Sequence, residues 1–318
     1  MNKKDAEIRI KNLRKEIEKH ARDYYENDSP TISDEIYDSL VREIKSLEKD
    51  YPEYFDPNFI IYRVGGKPLP YFQKKNHSIR MLSLSDCFSF SELWDWQKRI
   101  QKLAPKESFE YFAELKMDGL ACSLIYKDGV LESAVTRGDG EVGEDITQNV
   151  KTISSVPIVL KSKDKGLTEI RGEIVMAKST LTRLNKKYTK EGKALLANTR
   201  NAAAGSVRQL DSRLTAERSL DFFAWDIAQS PKDLSSHSDE HKYLVELGFL
   251  VAPFEKVCKN LEDIEKTILE IEGKRESLDY GTDGVVVQVN QLSLHNTLGI
   301  VGKAPRYAIA YKYPAEQA

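Results

Sequence analysis

At about Pro68 the hydrophobic pattern of this chain changes period, and that change constrains what each part can fold into. Before it, Ile10, Leu13, Ile17, Ala21 and Tyr24 recur at spacings of three and four, the stripe of an amphipathic helix that ends near Asn27. A break at Asp28-Ser29-Pro30 precedes a second helix from about Ser33, a residue suited to an N-cap. Tyr37, Leu40, Ile44 and Leu47 form its buried stripe and Pro52 closes it, so the two predict a helical hairpin. Beyond Pro68, the runs FEYFAELKMDG, LACSLIY, VLESAVT, TEIRGEIVM, LDFFAWDI and GVVVQV are separated by Gly, Pro and Asp, which predicts strands. Lys127-Asp128-Gly129 reads as the turn of a hairpin between LACSLIY and VLESAVT. Helical patterns intervene near 178 to 190, 238 to 248 and 261 to 276. The expected architecture is α+β: a small helical domain over 1–68, then a mixed, largely antiparallel-sheet domain over 69–318.

Composition excludes more than it identifies. With 318 residues, 40% of them hydrophobic and 9% aromatic, the chain can bury a genuine core. No apolar run approaches the ~18 residues of a membrane span. The N-terminus MNKKDAEIRIKNLRKEIEKH lacks the apolar stretch of a signal peptide, so the cytoplasm is the expected compartment. Cys87, Cys122 and Cys258 are far apart, which points to reduced, buried thiols rather than a zinc module or disulfides. Lys and Arg number 48 against 50 Asp and Glu, a net charge of -2, so any nucleic-acid contact must come from a local patch.

One strand is unusually charged. Side chains alternate faces along a strand, so Glu114, Lys116 and Asp118 are expected on one side, opposite Ala113 and Leu115. Taken alone, such a ladder reads as a solvated sheet face. Gly119 directly after it marks close backbone approach, and polar residues interrupt other apolar strands downstream.

Glu114-Leu115-Lys116-Met117-Asp118-Gly119 resembles the K-x-D-G motif of covalent nucleotidyltransferases, the DNA ligases and mRNA capping enzymes. The motif alone is short enough to recur by chance. The ordered series SLSDCFS, ELKMDG, TRGDGEVGEDIT, EIRGEIVM, NTRNAAAGSVRQLD, TDGVVVQVN and APRYAIAYKYP is similar to bacterial NAD+-dependent DNA ligase. With the helical hairpin, the resemblance spans essentially the whole chain. It implies a nucleotidyltransferase domain of the covalent ligase type, in which Lys116 attacks the α-phosphorus of NAD+, expels nicotinamide mononucleotide and holds AMP as a phosphoramidate.

A lysine amine attacks only when unprotonated, and its value in water is ~10.4, so nearby cations or desolvation must assist. The resemblance implies that Lys312 and a bound Mg2+ do so; no side chain is singled out as a ligand of that ion. Glu114 is expected at the adenine edge, and Asp118 is expected to position Lys116. Arg200 and Arg208, eight residues apart, suit phosphate oxygens because guanidinium groups offer fixed donor forks. Arg137 and Glu173 match positions that contact ribose and phosphate in the family, and Ser83, Leu84 and Asp283 fall within its nucleotide-binding motifs. Trp225 stands where Tyr is usual and can stack on adenine, a buried core tryptophan being the alternative. Gln288 stands where the family pattern has Lys, so a neutral amide replaces a charge. Arg80 and Thr199 stand where Pro is usual.

The helical hairpin separates NAD+ from ATP. Asp34 and Asp38 lie one turn apart, a spacing at which like charges repel. The family's nicotinamide-mononucleotide pattern is matched by Tyr24-Tyr25, Pro30, Asp34 and Tyr37-Asp38. Aromatic faces and carboxylates suit a cationic nicotinamide ring. Two other readings compete: an ATP- or GTP-using nucleotidyltransferase, and a noncatalytic NAD+-binding module. Family members continue past the segment corresponding to Ala318 into an oligonucleotide-binding barrel, a four-cysteine zinc module, helix-hairpin-helix elements and a BRCT domain. Zinc is therefore expected only in that continuation, nicked double-stranded DNA is expected as partner of the full-length protein, and this chain is expected to be a monomer that forms ligase-AMP without sealing nicks efficiently. A hinge near residues 60 to 70 is expected to let the helical domain grip and release NAD+.

Overall fold

A computed structural model describes residues 2–25, 32–63, 69–162 and 164–313; the side chains of residues 21–25, 34 and 35 lie outside that description. The helices Lys3–Tyr25 and Asp34–Asp50 pack through Ile10, Leu13, Ile17 and Ile44, with Phe59 from the following segment. Each such side chain contributes about 1.5–3 kcal/mol on leaving water. Ser33 takes the N-cap position with extended backbone, but its hydroxyl makes no cap hydrogen bond. Arg14 reaches across to Glu48 at 2.6 Å, and Arg9 grips Glu43 with two nitrogens at 2.6 and 2.7 Å. The expected helix end near Asn27, the Ala21 and Tyr24 side chains, Pro30 and Pro314 fall outside the described residues, as do residues 64–68 of the expected hinge.

Residues 58–63 are tied firmly to the rest of the chain. The Asn58 amide donates to the Val159 carbonyl, and its oxygen accepts from the Ile158 and Val159 amides at 2.6 and 2.9 Å. Arg63 is buried and donates to the carbonyls of Lys151, Ile153, Ser154 and Val156. No carboxylate faces it in these bonds, and burial lowers the guanidinium to about 10. A hinge within 58–63 would have to break this set.

Two sheets follow. A five-stranded mixed sheet runs in the order Ser85–Cys87, Ala308–Lys312, Thr282–Val289, Tyr111–Met117, Glu255–Cys258; its first pair is parallel and the others antiparallel. A four-stranded antiparallel sheet runs in the order Val130–Thr136, Leu120–Lys127, Leu167–Met176, Leu220–Gln229. The expected hairpin is present, with Asp128 at φ 51° and Gly129 at φ 79° forming its turn. Ala113, Leu115, Val285, Val287 and Ile309 pack against Leu93, Trp96 and Ile100 of the helix Phe90–Leu103 and Ile264, Ile268 and Ile271 of Leu261–Lys274. The second core joins Leu124, Ile170 and Phe222 to Ala203 and Val207 of the helix Thr199–Val207 and Leu244 and Leu247 of His237–Leu247. The fold is thus α+β, with helices packed against both sheets. Among the described residues, no helix is long and apolar enough to cross a membrane.

Candidate active site

The chain crosses from the first sheet to the second at Asp118-Gly119, between the strands Tyr111–Met117 and Leu120–Lys127. Gly119 is required by close approach: a Cβ there would lie 2.1 Å from the Ile174 carbonyl oxygen. A cavity of about 530 Å³ opens at this crossing. Strand alternation decides what faces it. Ala113, Leu115 and Met117 belong to the apolar core, while Glu114 and Lys116 bring charge to the cavity wall, which Leu115 and Met117 also border.

Three strands then place the charges. Gly284 pairs with Lys116 on one side and Lys312 on the other. With no side chain at Gly284, both ammonium groups converge on neighbouring Asp283, Lys116 Nζ at 3.0 Å and Lys312 Nζ at 3.2 Å. A Cβ at Gly284 would meet the Tyr311 carbonyl oxygen at 2.0 Å. Lys116 therefore has a second cation close by and a carboxylate that fixes its position.

Asp118 does not sit in that ladder. The strand ends at Met117; the Asp118 amide donates to the Gly281 carbonyl, and its carboxylate accepts from Arg200 at 2.6 Å. It is not among the cavity's lining residues. The expectation of Asp118 beside Lys116 is corrected in that the residue holding Lys116 is Asp283, and Asp118 holds Arg200.

The other expected residues fall into three groups. Ser83, Leu84, Arg137, Glu173, Arg200, Arg208, Trp225 and Gln288 all line the cavity with Glu114, Lys116, Asp283 and Lys312. Trp225 is half-buried there, so it is a wall residue rather than a sealed core ring. Arg200 and Arg208 stand at opposite ends of the helix Thr199–Val207, capped at its start by Asn198. Thr199 is that helix's first residue, the position where proline is favoured, which is why either residue serves. Arg208 is held by Glu144 at 2.8 Å. Tyr37 packs half-buried on the helical-hairpin core and Asp38 is exposed; neither lines the cavity. The side chains of Tyr24, Tyr25 and Asp34 lie outside the described residues.

Glu173 accepts from the Gly119 amide at 3.2 Å. Burial raises its carboxyl to about 7, against the opposing pull of Lys116, Arg200, the Gly119 amide and Arg137. A carboxylate of this kind favours a cation beside it.

One buried polar cluster went unnoticed in the sequence. Glu114, 4% exposed, faces His237 and His241, at 2% and 0%. Asp226, Glu240 and Arg171 adjoin it, and Glu255 closes its far side. Burial raises Asp226, with Glu240 adding to the effect. For His237 burial favours the neutral ring, but Glu114 and Glu240 outweigh it and raise the ring to about 10. The available signal was His237-Ser238-Asp239-Glu240-His241, two histidines one helical turn apart.

A family model for the NAD-dependent DNA ligase adenylation domain matches residues 69–316, and one for the DNA ligase-like N-terminal NAD+-binding domain matches residues 3–65. The chain belongs to the NAD-dependent DNA ligase family. A DNA ligase of Acetivibrio thermocellus is 44% identical over 313 residues, 98% of this chain and 47% of that protein. DNA ligases of Caldicellulosiruptor saccharolyticus and Natranaerobius thermophilus are 44% and 45% identical over 97% and 99% of this chain, and 46% and 47% of their own lengths. The chain spans about half the length of the curated relatives it matches. Among solved structures, an archaeal ATP-dependent RNA ligase aligns with 74% of this chain and 48% of that one at 12% identity and TM-score 0.40, too distant to bear on the site. Within the ligase family, the Lys116–Asp283–Lys312 ladder belongs to the matched adenylation segment, and Tyr37 and Asp38 to the matched NAD+-binding segment.

Proposed function

We propose that this chain is the self-adenylating part of an NAD+-dependent DNA ligase, with residues 1–68 as the nicotinamide-mononucleotide domain and 69–318 as the adenylation domain. The supporting observation is the ladder in which Lys116 and Lys312 meet on Asp283 at the foot of a nucleotide-sized cavity. In this reading the neutral Lys116 amine attacks the α-phosphorus of NAD+. The N–P bond forms as the bond to the pyrophosphate bridging oxygen breaks, and nicotinamide mononucleotide leaves with that oxygen and its electron pair. The Lys312 charge opposes the negative charge on the reacting phosphate. Asp283 keeps both amines in place until the phosphate takes over their charge. Arg200 and Arg208 orient phosphate oxygens, and Trp225 offers a ring face to adenine.

Mg2+ fits this site on its donor set, because Glu173 and Asp283 both present carboxylate oxygens to the cavity and this ion prefers oxygen ligands. Glu173 and Asp283 would hold the ion. When bound, it supplies further positive charge for the α-phosphate. In the whole protein, the AMP passes from Lys116 to the 5'-phosphate of nicked DNA.

Because the step is reversible, adding nicotinamide mononucleotide to the adenylated chain should regenerate NAD+ and free Lys116. An adduct that nicotinamide mononucleotide does not discharge would contradict the proposal.

A further inference from the structure

We propose that Glu114, His237 and His241 form a three-ligand site for a zinc-class divalent ion, with its fourth position open to the nucleotide cavity. His237 and His241 lie one turn apart on the helix His237–Leu247 and present their rings on one face, backed by Phe112 at 5.1 and 4.7 Å between centroids. Each ring is oriented from behind. His237 Nδ1 lies 2.6 Å from Glu240 Oε2, and His241 Nδ1 lies 2.6 Å from Glu255 Oε2. A carboxylate behind each imidazole sets the tautomer that leaves Nε2 free for a metal.

The inward atoms have no hydrogen-bond partner. His237 Nε2, His241 Nε2 and Glu114 Oε2 are all buried and unsatisfied. His237 Nε2 stands 3.6 Å from Glu114 Oε1 and His241 Nε2 3.5 Å from Glu114 Oε2, and one ligand atom from each of the three side chains lies within 4.8 Å of the others. That is too long for a charge-assisted hydrogen bond, which closes at about 2.7–2.9 Å. Two ligand atoms bound at about 2.1 Å to a tetrahedral ion lie about 3.4 Å apart, close to the observed separation. Donor type agrees with zinc or cobalt rather than magnesium, which prefers oxygen. Glu114 and His237 line the cavity, giving the ion a route in and an outward coordination position.

His237-Ser238-Asp239-Glu240-His241 matches the H-x-x-E-H spacing of one class of zinc hydrolases. Glu240 is turned back onto His237 Nδ1, so it orients a ligand rather than activating water. Binding displaces any proton on His237 Nε2. An ion there also takes the Glu114 carboxylate from the adenine edge, so metal and nucleotide compete; that consequence rests on the proposed adenine role of Glu114.

The test is cobalt titration of the chelator-stripped chain, read by visible absorption, with zinc stoichiometry by elemental mass spectrometry after gel filtration. One ion per chain is expected, with the absorption of four-coordinate cobalt on nitrogen and oxygen ligands and no thiolate band. His241→Gln, a change away from the adenylation machinery, should lower affinity at least about 10-fold. Glu255→Gln, at a half-exposed carboxylate, should lower it about 10–100-fold by releasing the His241 ring. Should His241→Gln not fold, the parent spectrum and Glu255→Gln decide alone. No binding, a thiolate band, or affinity unchanged in the variants that fold overturns the site. Cobalt bound as described but indifferent to AMP would refute the adenine role of Glu114 and leave the metal site standing.

Discussion

Replacing Glu173 with glutamine should stabilise the protein while disabling its chemistry. Burial raises this carboxyl from 4.5 to about 7. For an acid whose folded-state value lies above its unfolded one, ionisation opposes folding. The cost is absent below about pH 4.5, where both states hold the proton, grows up to about pH 7, and is fully present above it. A difference of that size corresponds to about 3 kcal/mol. The carboxylate borders an open cavity, and solvent screening there reduces the expected value to about 2 kcal/mol. Glu173→Gln removes the charge but keeps a carbonyl to accept the Gly119 amide proton, a bond of 3.2 Å in the parent. Thermal unfolding at pH 8.5 should therefore show a Tm higher than the parent's by on the order of 5 °C, narrowing to about a quarter of that near pH 5. The same variant should lose most adenylation, because its amide supplies no charge to a cation at the phosphate. An equal difference at both pH values, or a parent more stable at pH 8.5, would refute the burial argument.

Three further outcomes follow from the geometry. Gly284→Ala should destabilise by about 3 kcal/mol in urea unfolding and abolish adenylation, since its Cβ would press on the Tyr311 backbone at 2.0 Å and part the strands that align Lys116 and Lys312. Arg63→Ala leaves the carbonyls of Lys151, Ile153, Ser154 and Val156 without their buried donor. It should cost about 3 kcal/mol and expose the 58–63 segment to limited proteolysis. Asp38→Ala changes an exposed side chain; the unfolding midpoint should stay within about 0.5 kcal/mol of the parent while adenylation from NAD+ falls at least 10-fold, roughly 1.4 kcal/mol in the barrier.

Local pattern made much of the frame legible. The alternation of Ala113 and Leu115 with Glu114 and Lys116 placed the two sets on opposite sides of the strand, because strand period depends only on backbone geometry, and the fold turns one side to the core. Gly119 and the Asp128-Gly129 turn were readable for the same reason, each being a local steric requirement. Register between distant strands was not. Asp118 is two residues from Lys116 and looked like its partner, but the strand ends first, and the actual partner, Asp283, is 167 residues away. The helix Thr199–Val207 escaped because Ala202, Ala203 and Val207 bury small side chains that leave a weak apolar stripe in the sequence. Five Glu and His residues of the buried cluster come from 114, 237, 240, 241 and 255, and only the fold brings them together.

The most direct measurement is intact mass of the purified chain after incubation with NAD+ and Mg2+, with parallel incubations using ATP and the Lys116→Ala variant. Gain of a single adenylyl group from NAD+ only, mapped to the peptide carrying Lys116 and absent in the variant, is the predicted result. An adduct formed equally well from ATP, or one that survives Lys116→Ala, would contradict it.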